Sequence, residues 1–208
     1  MRILRAGNYR RMKWRNGGGE TAEIAVSPED AGLDDFDWRV SMARVESAGP
    51  FSLFPGVDRT LAILEGEGVV LDIEGRLPVR LTGVSEPYGF PADVAVHAGL
   101  VGGPITDLNV MTRRGRHAHR VTRHEVDGLL KLAVGTGMLF SSASRLRIGG
   151  QGFEEELGAY DAAMLAGPRR ALSVEGQGRL FVIELENPGG EVKVIAAVRE
   201  IRARTVLQ

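Results

Sequence analysis

The chain contains no cysteine. Disulfides, thiolate metal sites and cysteine nucleophiles are therefore excluded, and the composition is compatible with a reducing cytoplasm, where the protein is expected. No apolar run approaches the roughly 18 residues needed to span a bilayer, so no membrane is expected as a partner. The opening residues, Met1 to Gly7, carry no apolar core of a leader, and no signal peptide is expected. Charge of one sign is also lacking. The formal net charge of −1 gives no global attraction to nucleic acid or to an anionic surface. Long helical periodicity is absent too. Only the stretch 27–35 suits a helical turn, with Ser27 placed as N-cap and Pro28 at the first helical position.

What is present is a globular composition in 208 residues, 43% hydrophobic, with 28 glycines scattered between short apolar runs. Such punctuation marks many short strands joined by tight turns. The segment 38–45 alternates: Trp38, Val40 and Met42 share one face, while Arg39, Ser41 and Ala43 share the other. Further strands are expected at 60–64, 69–73, 94–97, 108–112, 129–134, 138–141, 146–148, 162–165, 180–185 and 192–198.

Two short motifs recur in the same order. Gly66-Glu67-Gly68 and Gly135-Thr136-Gly137 each precede an apolar strand. A D-x-A-x-x-A-G string follows each, starting at Asp93 and at Asp161, which are 27 and 26 residues on (66 to 93, 135 to 161). A repeat of this kind indicates two related β units in one chain. The arrangement resembles the two motifs of cupins. The expected fold is all-β: two tandem cupin-like (double-stranded β-helix or jelly-roll) barrels packed as a bicupin. The halves are read as 1–114 and 115–208, forming one folding unit.

The first cupin motif usually reads G-x5-H-x-H-x3–4-E-x6-G, and in that family its histidines and glutamate help hold a divalent metal. Counted back from Gly66, those positions fall on Ser52, Phe54 and Arg59. Serine and phenylalanine are poor metal ligands, and arginine does not deprotonate to become one. Neither a metal nor any other cofactor is expected. Arginine instead offers a planar fork of donors suited to a carboxylate or phosphate, although a local pairing of Arg59 with Asp58 stays open. The second half places Val121, Arg123 and Gly128 at the same positions, and its role is read as packing or assembly; a homodimer stays open. His117, His119 and His124 lie among five arginines that would repel a dication, and the strip 113–124 is read as a solvated connector between the halves, with a metal site or an anion-binding or subunit-contact strip as alternatives.

Four strings extend the resemblance: W-R-N-G-G-G-E-T at 14–21, F-D-W-R-V-S-M-A at 36–43, G-P-F-S-L-F-P-G-V-D-R at 49–59 and D-L-N-V-M-T-R-R at 107–114. Together they resemble the HutD/Ves family over about residues 2–190. The resemblance implies a bicupin without bound metal. Some members lie beside histidine-degradation genes and are thought to sense or limit that pathway, through a formylated or carboxylated intermediate; others are described only as stress-induced. Combining this with the residues gives a candidate ligand pocket. The amides of Gly17 and Gly18, with Asn16 and Thr21, would contribute hydrogen bonds. Arg39, Ser41, Ser52, Arg59, Asp107 and Asn109 would line the barrel, and Phe54 and Met111 would form apolar walls. The leading expectation is binding of a small anionic metabolite, such as N-formylglutamate or a urocanate-like acid. The alternative is a metal-free isomerase or lyase with Asp107 as general base.

Overall fold

Short apolar runs separated by glycine turns fold here as antiparallel strands, seventeen among the described residues. The structure is a computed structural model that describes residues 1–142 and 145–187. The strand expected at 192–198 lies outside the described residues. The first half runs β1 (Arg2–Leu4), β2 (Arg10–Lys13), β3 (Gly19–Ser27), β4 (Trp38–Val45), β5 (Gly49–Pro50) and β6 (Val57–Glu65). It continues through β7 (Val69–Ile73), β8 (Val79–Leu81), β9 (Tyr88–Pro91), β10 (Val96–Leu100) and β11 (Ile105–Arg113). The second half runs β12 (Ala118–Val134), β13 (Gly137–Ser142), β14 (Leu146–Gly150), β15 (Phe153–Leu157), β16 (Ala162–Leu165) and β17 (Arg170–Glu186). A single 3-10 turn, Ala6–Asn8, follows β1. The fold is all-β, as expected.

The first half closes around two sheets, β2-β3-β4-β11-β6-β9 and β5-β10-β7-β8. The second half is one curled sheet, β1-β16-β13-β17-β14-β15, with β12 paired along β17. The repeat is visible in the pairings: β6 with β11 and β7 with β10 correspond to β12 with β17 and β13 with β16. Its second glycine has a steric reason. A Cβ at Gly68 would lie 2.2 Å from the Leu81 carbonyl oxygen, and one at Gly137 would lie 2.0 Å from that of Ile183. Neither turn admits a side chain.

The repeated aspartates also do equivalent work. Asp93 accepts from the Gly56 amide at 3.2 Å and pairs with Arg114 at 2.7 Å. Asp161 accepts from the Ala6 amide at 2.8 Å and pairs with Arg5 at 2.7 Å. Each fastens a distant segment to the start of its strand. At Asp161 that segment is the amino terminus: β1 leaves the first half and pairs with β16, Arg2 opposite Met164 and Leu4 opposite Ala162.

Three large apolar cores and one small one, around Phe36, Val57, Ala92 and Met111, result among the described residues. One fills the first barrel, with Leu61, Ile63, Leu71, Phe90, Val96 and Ile105. One fills the second, with Leu139, Leu146, Ile148, Leu157, Leu180 and Val182. The third lies between the halves, where Val40, Met42, Leu108 and Val110 meet Phe140, Phe181 and Ile183. Side chains of this size contribute about 1.5–3 kcal/mol each when buried, so this shared layer binds the halves together.

Two local expectations are corrected. Residues 27–35 hold no helical turn: Ser27 ends β3 opposite Trp38, and its carbonyl accepts from the Asp37 amide at 2.6 Å, closing a loop back onto β4. The basic strip is no solvated connector either. Residues 118–124 begin β12 and pair with β17, and His119 and Arg123 reach across to the first half. Its arginines stitch loops together: Arg113 donates to the carbonyls of Asp34, Phe36 and Pro55, Arg114 pairs with Asp58 and Asp93, and Arg116 with Asp37. Asp58 is therefore the partner of Arg114, and Arg59 is left to point the other way.

Candidate functional site

The period of two along β11 decides the site. Leu108 and Val110 face the second half, so Asp107, Asn109 and Met111 face the lumen of the first barrel. Cross-strand neighbours share that face: Ala43, Ser41 and Arg39 on β4, and Ile63, Leu61 and Arg59 on β6. Beyond β4, Thr21 and Glu23 of β3 stand opposite Ala43 and Ser41. A sheet that would normally turn apolar residues into its own barrel turns a polar row inward instead. Its apolar row is spent on the partner half.

These polar groups are deeply buried. Asp107 is 1% exposed, Asn109 3% and Arg39 6%. Arg39 is neutralised by Glu23, Nε to Oε2 at 2.8 Å. Arg59 has no such partner: among the described residues its guanidinium makes no ion pair. Both Nε, at 2.7 Å, and Nη2 donate to the neutral Asn109 side-chain oxygen. The Asn109 amide nitrogen in turn donates to Asp107 Oδ1. Asp107 Oδ2 is buried without any hydrogen-bond partner among the described residues. Above the Arg59 guanidinium lies the Phe51 ring, 4.1 Å from its centroid, a cation–π contact that also covers it; Phe90 stands at 5.8 Å.

The electrostatics follow from burial. Desolvation pulls the Arg59 pKa down to about 10, against the attraction of Asp107 and with the repulsion of Arg39. Desolvation likewise pushes Asp107 up to about 7, opposed by Arg59, the Asn109 contact and the Ala43 backbone. An arginine whose hydrogen bonds go to an amide, beside a carboxyl group poised to hold a proton, can receive an anion. Among the described residues no three His, Asp or Glu side chains converge as a metal would require.

On the outer face of the same sheet His119 bridges the halves, Nδ1 to Thr112 Oγ1 at 2.7 Å and Nε2 to Thr60 Oγ1 at 2.8 Å. Its burial pulls the imidazole pKa down to about 4. A cleft of about 340 Å³ opens beside it and reaches Arg59 and Phe90, with Asp58, Arg76 and His119 at its rim. A wider crevice of about 730 Å³ runs between the halves, past Arg2, Arg10, Trp38 and His117.

With this geometry in view, comparison with known proteins is decisive. The HutD family model matches residues 6–182. The chain belongs to the HutD family. It is 36% identical over 186 residues to an uncharacterized 21.2 kDa protein of the hutC 3' region of Pseudomonas putida, covering 89% of this chain and 97% of that protein. It is 44% identical over 104 residues to the Ves protein of Citrobacter koseri, covering 50% of this chain and 53% of that one. Among solved structures, HutD from Pseudomonas fluorescens in a formate condition superposes with a TM-score of 0.77 at 33% identity, covering 90% of this chain and 99% of that one. The Ylba protein of Escherichia coli, at 6% identity and a TM-score of 0.67 over 92% of both chains, shares the fold alone.

This HutD-family chain brings together only part of its expected pocket. Thr21, Arg39, Ser41, Arg59, Asp107 and Asn109 share the lumen face. Met111 lies between Arg39 and Arg59 in register and packs with Phe36, Val57 and Phe54 at one end of the barrel. Phe54 thus stands with Met111, edge-on to Phe36. Ser52 is exposed on the loop that carries Phe51. Asn16, Gly17 and Gly18 form the β2–β3 turn, where Asn16 Oδ1 accepts from the Gly18 amide at 3.0 Å and the Gly17 amide gives to the Trp14 carbonyl. That string's inward contribution is Trp14 Nε1 donating to Thr21 Oγ1 at 2.8 Å. Sequence reasoning missed Glu23, Phe51 and Phe90. Glu23 was detectable, since it is two residues after Thr21 and so on the same strand face. Phe51 lies inside the 49–59 string, but only the folded loop puts its ring over Arg59.

Proposed function

We propose that this chain binds a small carboxylated metabolite in its first barrel, without a metal, in a sensing or regulatory role linked to histidine utilisation. The observation that carries the reading is Arg59: a buried guanidinium hydrogen-bonded to a neutral amide, with no ion pair among the described residues. A buried charge left in this way is unfavourable unless something compensates it, and a ligand carboxylate would do so. The relative in the hutC region of Pseudomonas putida supports the pathway. N-formylglutamate is the first ligand to try, then urocanate and glutamate.

Calorimetry on wild type, Arg59→Ala and Arg59→Lys tests this. Loss of a charge-assisted bidentate contact, on the order of 1.5–3 kcal/mol, weakens binding roughly 10- to 150-fold in Arg59→Ala. Arg59→Lys recovers part, because an ammonium keeps the charge and loses the fork. Equal binding by wild type and Arg59→Ala refutes the site. One observation favours a second reading: a carboxyl group held near pKa 7 suits a general acid or base, so Asp107 would be the proton carrier of a metal-free isomerase or lyase. Turnover of a bound acid that Asp107→Asn abolishes would select that reading.

A further inference from the structure

The lumen cluster has a charge balance that constrains how an anion can enter it. Arg39 and Glu23 cancel one another at 2.8 Å, with side chains 7% and 14% exposed. Arg59 and Asp107 remain. The charged group that acts on Asp107 is Arg59 from β6; Arg39 from β4 acts in turn on Arg59, and Arg39 is paired with Glu23 from β3. β7, β9 and β10 pack onto the same core with Leu71, Phe90, Val96 and Ala98, and the Tyr88 ring packs against it.

If Asp107 stayed ionised, a bound carboxylate would leave two buried negative charges against the single positive charge of Arg59. A surplus buried charge is among the costliest arrangements in a protein interior. If Asp107 carries a proton, the bound site is neutral. The hydrogen bonds agree with the charges. Asp107 Oδ1 is already taken by Asn109, while Oδ2 is buried with no partner among the described residues. As an ionised oxygen Oδ2 lacks a donor, and as a hydroxyl it lacks an acceptor. A ligand carboxylate offers only acceptors, so it satisfies Oδ2 only when Oδ2 bears the proton. Arg59 leaves a matching edge: Nε and Nη2 face Asn109, so Nη1 with the other Nη2 hydrogen forms the end-on fork that grips a carboxylate.

We infer that the first barrel takes up its anion together with one proton, which Asp107 holds as a carboxylic acid and donates from Oδ2 to a ligand oxygen. The inference rests on the proposed carboxylate site and adds its regulation and its selectivity. Ligands that present an acceptor are favoured over those that present an N–H to Asp107, and binding weakens as pH rises. Burial has already pushed Asp107 up to about 7, against the pull of Arg59, and a bound anion pushes it further in the same direction.

The test is calorimetry with formate and with N-formylglutamate, whose carboxylates stay ionised across the range. Titrations run from pH 6 to pH 8.5, in buffers of contrasting ionisation enthalpy. With a free-protein pKa near 7, affinity falls roughly 30-fold between pH 6 and pH 8.5, and close to one proton is taken up per ligand at the upper end. Asp107→Asn keeps the neutral form and a donor, so its affinity is flat with pH and its proton uptake is nil. The proton count on wild type needs no variant and stands even if Asp107→Asn folds poorly. Carboxylate binding lost in Arg59→Ala, yet flat with pH and without proton uptake in wild type, overturns this inference and leaves the carboxylate site standing. Binding that tightens as pH rises also overturns it, because Asp107 would then act as an ionised acceptor. No binding of either probe at any pH removes the carboxylate site itself, and the proton coupling with it.

Discussion

The amino terminus is held on the second half by pairing of β1 with β16 and by the Asp161 carboxylate, and Asp161→Asn measures how much the carboxylate is worth. Asp161 accepts from the Ala6 amide at 2.8 Å, from the Gly158 amide at 3.0 Å and from Arg5 Nη1 at 2.7 Å. Its side chain is 11% exposed, whereas that of Arg5 is 47% exposed. The two amide bonds to a charged acceptor contribute about 1.5 kcal/mol each, and the half-solvated ion pair adds less than about 1 kcal/mol. Asparagine keeps one acceptor for Ala6 but turns an NH2 group toward Gly158 or Arg5. The expected loss is about 2–3 kcal/mol at pH 7, or a urea midpoint lower by roughly 1 M. Amide exchange should quicken along Arg2–Leu4 and along the paired residues of β16. Burial alone would raise the Asp161 pKa; the Ala6 amide, Arg5 and the Gly158 amide overcome it and hold the group below its ordinary value. A depressed carboxylate pKa stabilises the fold fully above the unfolded value near 3.9, and that stabilisation is lost as pH falls through the folded pKa. The gap between wild type and variant should therefore persist to about pH 5 and close in stronger acid. A variant within about 0.5 kcal/mol of wild type at pH 7, with unchanged exchange in β1, would refute the anchoring argument.

His119 predicts a different pH window. Its folded pKa, about 4, lies below the unfolded value near 6.5, so wild type should lose up to about 3 kcal/mol as pH falls from 6.5 toward 4. His119→Gln should flatten that slope in denaturant melts, and an unchanged slope would assign it elsewhere. Cleaving the chain between Arg114 and Val126 should leave neither half folded, because Met42, Leu108 and Val110 would lose Phe140 and Phe181; two separate melting transitions recovered in the isolated halves would contradict this.

Much of the architecture was legible before any coordinates. Strict alternation at 38–45 marked β4 to the residue, since a strand with both faces buried needs a consistent side-chain parity. The recurring glycine and aspartate motifs marked two related units because the second glycine of each avoids a specific carbonyl and each aspartate ties a specific amide. The strands that escaped notice, such as β3 and the first half of β12, are rich in charge. Their charged residues pair across the fold, Glu23 with Arg39 and Arg123 with the Gly83 carbonyl, so they look solvated only in one dimension.

By itself, the sequence determined the fold class and the recurrence of its glycine and aspartate motifs, and it set Ser52, Phe54 and Arg59 where the cupin motif carries its ligands. It could also say that Asp107 and Asn109 share a face. Which face is the lumen is a different matter, because both faces of β11 are buried and local pattern cannot rank two buried environments. Only the packing of the halves decided it: Leu108 and Val110 are covered by the second barrel, so the polar row turns inward and meets Arg59. Folding of the first barrel brought Phe51 over the guanidinium and left Ser52 exposed, while the glycine triplet is closed by local hydrogen bonds, Gly18 to Asn16 and Gly17 to Trp14. The contacts that orient the lumen, Arg59 with Asn109 and Leu108 and Val110 with the second half, join residues distant in the chain. They exist only once the strand pairings have been made.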